Sequence, residues 1–313
     1  MSDGYLEKRK EWLGWLSGDP QHAIWNQING LVWQDAVFRA LNECRRLTSK
    51  DAPTAANNGM LAGFVDHGYV ATQVLGISRL IDPRSDVISL SRLVKDLSRN
   101  RKLLTRENYL TIGDLPYDWK ASRDAFYAKL GPEGIRGLIG LSTSGPDAWD
   151  FARMSHEVFD RLSAVSEESR SPTDTISEQV FRTLQNWLRD PALEKVRTLR
   201  HKFIAHAADA PSRAEAGLQK LGITLDEITA AHRLLFRVAS AISNQILDNG
   251  ARGSVIPVPQ YDQFAHFDAG FVPPEKIKEL HEWWDAHVTA RDRWTEENFD
   301  LLTGLPDRRD GIS

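Results

Sequence analysis

A single cysteine, Cys44, stands in this 313-residue chain. That excludes an intramolecular disulfide and a cysteine-based zinc site. It falls in "FRALNECRRL", where an inert buried thiol on a helix is expected. No window approaches the roughly 20 apolar residues that a bilayer span needs. The first residues, "MSDGYLEKRKEWLGWLSGD", are too charged for a secretory signal. A cytoplasmic, reducing location away from membranes is therefore expected. Alternating Val, Ile and Thr runs are scarce, which argues against a sheet. The glycines of "GPEGIRGLIGLSTSGPD" have no Gly-Lys-Ser/Thr ending and no preceding strand, so they do not read as a phosphate loop. The pairs His201/His206 and His281/His287 lack the i, i+4 spacing of a helical zinc motif. No Gly-x-Ser-x-Gly elbow is present. No metal and no other cofactor is expected.

Hydrophobic residues make up 41% and charged residues 26% of the chain, the balance of a globular protein with a sizeable core. Ten tryptophans imply that most are at least partly buried. The formal net charge is −4, so any role with nucleic acid needs a local basic surface.

Apolar residues recur at three and four, so the fold class is all-α. Residues 21–48 read as a first helix, with Ile24, Ile28, Val32 and Leu41 near one side. "SKDAPTAANNG" interrupts the chain before a second helix over 60–81, and a third starts at 89. "NRKLLTRENYL", "YDWKASRDAFYAKLG" and residues 147–167 also look helical. Residues 174–188 form another helix. Asp190-Pro191 then gives an N-cap and a first-turn proline for a helix to about 207. Thr224 and Glu227 match a capping box that opens a long helix to 248. Past "NGARGSVIPVPQ", Pro274 and Glu275 start a tail helix that Trp283 and Trp284 are expected to anchor. The organisation expected is one helical domain over 1–249, with an insertion at about 100–172, then a connector and helical C-terminal tail over 250–313.

The most informative stretch is "VRTLRHKFIAHAAD", residues 196–209. On a wheel of roughly 100° per residue, Leu193, Val196, Leu199, Phe203, Ile204 and Ala207 share one side. Arg200 falls inside that apolar arc and His206 at its border, about 120° away. A guanidinium in such a place needs a carboxylate, carbonyls or an anion in a cleft. Two arrangements satisfy it. Arg200 pairs with a core carboxylate such as Asp82 while His206 ends the helix, or the two side chains line a cleft that takes an anion.

"LRHKFIAHA" resembles the signature of the HEPN superfamily: an arginine followed, after four to six residues, by a histidine on a late helix. Five residues separate Arg200 from His206. The R-x-K-x-x-A-H form is similar to the abortive-infection branch of AbiU type. "SRLIDPRSDVISLSRLV", residues 78–94, resembles that branch's stretch after its early helix. The likeness runs loosely from about 20 to 247 and is weakest over 100–170. It implies a HEPN-like helical bundle, usually a homodimer, and a metal-independent endoribonuclease of a defence or toxin system. In that reading Arg200 grips the scissile phosphate and His206 moves protons. His201 stands where relatives often carry asparagine, and Lys202 adds phosphate attraction. Asp82 or Arg79, from the second block, orients the site. RNA is the implied partner, with an antitoxin or other neutralising protein as a second one. Ala208 stands where some toxin members carry a modifiable tyrosine, which excludes that route of control. The alternative is a non-catalytic HEPN-like module that binds RNA, a nucleotide or a partner protein.

Arg79, Arg84, Arg92, Lys95, Arg99, Arg101, Lys102 and Arg106 outnumber the acids among them. They read either as a basic strip for a phosphate backbone, with Arg79 and Arg92 as RNA contacts, or as a solvated face with ion pairs.

Overall fold

The computed structural model describes residues 3–48, 55–129, 142–205, 208–215, 217, 222–250, 254–256, 259–267, 269–270 and 274–292. Among these residues there are α-helices and no strand, as the periodicity requires. The one sheet-like feature is an isolated bridge between Thr105 and Thr175. The glycine-rich residues 130–141 lie outside the described residues.

Chain order begins with α1 (Asp3–Leu13), a helix not anticipated from the charged N-terminal sequence. Its apolar contribution is sparse but deep: Tyr5 and Trp12 are buried, as is Leu16 in the π turn that follows. The Trp12 indole donates to Asp96 at 2.7 Å. α2 (Ile24–Leu47) buries Ile24, Ile28, Leu31 and Val32 along one stripe. α3 (Gly59–Leu80) is capped by Asn58, and α4 (Leu90–Arg99) by Ser89. Three helices follow in the middle segment: α5 (Arg106–Leu110), α6 (Trp119–Lys129) and α7 (Trp149–Ser163). α8 (Glu178–Trp187) leads into α9 (Pro191–Leu199), whose N-cap is Asp190 with Pro191 at the first position. α10 (Ala210–Glu215) is short. α11 (Leu225–Ser240) opens on the Thr224–Glu227 capping box. α12 (Ile277–Asp292) ends the described chain.

α11 is the centre of the bundle, packing on α2, α3, α4, α8 and α9. A buried polar bridge fixes three of these helices. His232 Nε2 donates to Gln73 Oε1 at 2.8 Å, and the Gln73 amide donates to the Leu31 carbonyl at 3.1 Å. Because each group is satisfied, the bridge sets register without an orphaned dipole. Next to it, Tyr69 donates to Asp35, and Arg39 ties Asp35 to Thr229. Lys195 of α9 pairs with Glu227 at 2.6 Å.

The middle segment is held together, and tied to the loop before α8, by a charge cluster. Arg106, placed by the sequence in a basic strip, is fully buried. It donates to Asp160 at 2.8 Å and to Asp174 at 3.0 Å, and its guanidinium lies over the Phe159 ring. It also donates to His156 Nδ1 at 3.2 Å, while His156 Nε2 donates to the Tyr117 carbonyl at 2.9 Å. That arrangement needs a neutral imidazole with its proton on Nε2. Burial would raise the Asp160 carboxyl, but its bonds from Arg170 and Arg106 hold it below the usual carboxylate range.

Among the described elements, the main packing partner of α12 is the short turn before it. Trp283 and Trp284, expected to anchor the tail, are 56% and 49% exposed. Cys44, expected to be buried, is half-buried.

Two outcomes follow from these buried groups. Arg106→Ala leaves Asp160 and Asp174 facing an emptied site, and is expected to cost about 3 kcal/mol of stability, read from the urea midpoint. His232 and His156 are both pushed below the ordinary imidazole range, in each case first by burial. The unfolded chain therefore takes up protons first as pH falls. Stability is complete above the unfolded value of about 6.5 and declines below it. Thermal melts from pH 7.5 to 5 are expected to show a falling Tm, and His232→Gln should flatten that slope. An unchanged slope would show that His232 does not titrate on unfolding.

Candidate functional site

α9 does not run on as an α-helix to 207. It ends at Leu199, and Arg200–Ile204 form a π turn closed by Ala205 N–H donating to the Arg200 carbonyl at 2.7 Å. A π turn holds an extra residue, so the ideal-wheel angle between Arg200 and the residues after it does not apply. Leu193, Val196 and Leu199 are buried as the stripe requires, and Phe203 and Ile204 pack on the core. Arg200 is half-buried rather than enclosed. His206 and Ala207 lie outside the described residues.

Arg200 opens into a groove of about 950 Å³. One wall is formed by α9 and the π turn after it, where Glu194, Arg197 and Arg200 follow one another at three-residue steps and His201 adjoins Arg200. The groove reaches the α8–α9 corner at Leu188 and Arg189. The opposite wall consists of Ser78 and Ile81 at the end of α3, the Asp82-Pro83-Arg84 turn, and Ser91, Val94 and Lys95 of α4. That wall is braced internally. Ser89 Oγ donates to the Asp82 carbonyl at 2.5 Å, and Ser91 Oγ to the Ile81 carbonyl at 2.9 Å.

Five cations and two acids line the groove, and both acids are already committed. Asp82 accepts from Arg84 at 3.2 Å, and Glu194 pairs with Arg197. The carboxylate offered by the sequence as a partner for Arg200 is therefore engaged elsewhere. Among the described residues, Arg200, Lys95 and Arg189 have no ion pair. The groove is a local cationic surface on a chain of net charge −4.

The other sequence-derived site residues separate into two groups. His201 is exposed and lines the groove with Arg200. Asp82 shapes the opposite wall. Lys202 faces another direction, with its ammonium on Ser212 Oγ at 2.7 Å. Arg79 is exposed near the end of α3 but is not part of the lining. Arg92 is occupied structurally: its guanidinium stacks 3.9 Å from the Trp15 ring centroid and donates to the Val87 carbonyl at 3.1 Å. Arg101 likewise donates to Thr175 and to the Ile176 carbonyl. With Arg106 buried, the strip dissolves into structural arginines and a few exposed cations, of which Lys95 and Arg84 reach the groove. Arg189 carried no sequence signal beyond its place before the Asp190-Pro191 cap.

Ser78 adds one more feature. It is 4% exposed, and its hydroxyl has no hydrogen-bond partner among the described residues. An unpaired buried hydroxyl is destabilising, so Ser78→Ala is expected to stabilise the chain by about 1 kcal/mol, read as a small rise in Tm. A fall in Tm would show that the hydroxyl has a partner in solution.

Comparison with known proteins now bears on this site. A family profile described as AbiU2, HEPN_AbiU2, matches residues 31–270, including the whole middle segment and both blocks of the resemblance. Neither the curated proteins nor the solved structures give a match. No helix among the described residues is long and apolar enough to cross a membrane. With the profile covering well over half its length and an all-α bundle carrying the Arg200 helix, the chain belongs to the abortive-infection-related AbiU2 family of the HEPN superfamily.

Proposed function

We propose that this protein is a metal-independent endoribonuclease of a defence or toxin system, acting at a cleft completed by a second copy of the chain. One observation carries the reading. Arg200, on the motif helix, is half-buried in a basic groove and has no carboxylate partner among the described residues. A guanidinium so placed is suited to an anion from outside, and a phosphodiester matches its forked donors.

In this reading Arg200 neutralises the non-bridging oxygens of the scissile phosphate. His206 takes the proton of the ribose 2′-hydroxyl as the 2′-oxygen attacks phosphorus. The bond from phosphorus to the 5′-oxygen breaks, and that oxygen leaves with a proton from an imidazolium. The products are a 2′,3′-cyclic phosphate and a 5′-hydroxyl, and the electron balance closes without a redox partner. His201, exposed beside Arg200, contributes a further donor to the strand. A cytoplasmic site of action and control by a neutralising protein accompany this reading.

The test is cleavage of RNA in excess chelator. Wild type is expected to cut, and His206→Ala and Arg200→Ala are each expected to fall by about 10²-fold or more. Equal cleavage by all three preparations, or none by the wild type on a broad RNA panel, would overturn the assignment. Binding without any turnover would leave a non-catalytic RNA-binding module.

A further inference from the structure

We propose that the groove holds a linear polyanion with two or more consecutive phosphates, and that Lys95 and Arg189 form a second phosphate subsite apart from Arg200. The inference deepens the RNA reading of the same groove.

Arg189 immediately precedes the N-cap of α9, and Arg200 immediately follows its last α-helical residue. The nine helical residues between them, Pro191–Leu199, span roughly 13 Å of helix axis. Both residues line the one groove, so it runs the length of α9 rather than forming a pit at Arg200. Its 950 Å³ is at the upper end of the roughly 300–1,000 Å³ that enclose a drug-sized ligand.

Asp82 and Glu194 each hold one arginine, leaving Lys95, Arg189 and Arg200 unpaired among the described residues. A ligand with one phosphate can answer only one end of this arrangement. A strand presents a phosphate at every backbone step and can answer both. Lys95 stands on α4, the wall opposite α9, and α4 packs on α8, the helix that leads to Arg189, so the far subsite is given a cation from each wall.

Among the described residues that line the groove there is no Phe, Tyr or Trp. Without aromatic faces to stack on, bases contribute little, so affinity comes from the backbone and is strongly salt-dependent with weak base preference.

The test uses the full-length protein and 2′-O-methyl RNA, which cannot be cut through a 2′-hydroxyl, so binding is read independently of turnover. A labelled hexanucleotide is followed by fluorescence anisotropy at graded salt. An unphosphorylated dinucleotide, which carries one phosphate, is measured by competition. The hexanucleotide is expected to bind at least tenfold more tightly. Lys95→Gln and Arg189→Gln should each weaken it three- to tenfold and reduce the salt slope by about 0.7, leaving the dinucleotide unchanged. Arg200→Gln should weaken both. Thermal melts of each variant check that the fold is intact. Equal affinity for the two lengths, or variants that leave the hexanucleotide affinity and slope unaltered, would overturn the inference. The outcomes separate the two readings. Length-dependent binding with no cleavage of ordinary RNA sinks the nuclease and keeps the subsite, whereas cleavage with unaffected variants does the reverse.

Discussion

Taking a guanidinium out of water costs several kcal/mol unless its donors find acceptors, and this chain meets that constraint in two opposite ways. Arg106 is enclosed and answered from within by Asp160, Asp174 and His156. The result is a rivet between α5, α7 and the loop before α8. Arg200 is only half enclosed, and the two acids nearest its groove serve other arginines. One arginine is spent on the fold; the other is left to the solvent-facing groove. The functional reading depends on that difference, because a second Arg106-like enclosure at position 200 would leave the motif helix no unpaired guanidinium for the scissile phosphate.

The groove also makes a mildly acidic chain compatible with the anionic partner proposed for it. Self-repulsion between Lys95, Arg189 and Arg200 is tolerated because the groove is wide and open to counterions, which screen over about 8 Å at physiological salt. Concentrating cations along the two walls of one groove would let a chain of net charge −4 steer the proposed polyanion to one place, without attracting it everywhere.

Much of the bundle is legible in the sequence because local chemistry sets it. Asp190-Pro191 and Thr224–Glu227 sit where α9 and α11 begin, and the Leu193–Val196–Leu199 stripe is the buried face. What is not legible depends on partners far away in the chain. Arg106 and Arg92 look like phosphate ligands until Asp160, Asp174 and Trp15 arrive from distant helices. α1 goes unread because Tyr5 and Trp12 are two apolar positions amid charge, and only the fold shows both buried. The wheel position of Arg200 inside the apolar arc leaves either a core carboxylate or an anion in a cleft as its partner, and only the fold shows Asp82 engaged by Arg84 instead. Lys95 and Arg189 could not be read as its neighbours, since nothing in the sequence says that α4 and the α8–α9 corner border one groove. The π turn at Arg200 has no evident local signal.

The Trp12–Asp96 hydrogen bond has a consequence for where the folded unit starts. The family profile begins at residue 31, inside α2, yet Tyr5, Trp12, Leu16, Ile24, Trp25 and Ile28 belong to the same core. Asp96 adjoins Lys95 on α4, so the indole braces the helix that forms the groove's far wall. A recombinant fragment trimmed to the profile would strip away that buttress and expose the underside of α4. The minimal unit that keeps the groove in shape is therefore longer at its amino end than the segment by which kinship is detected.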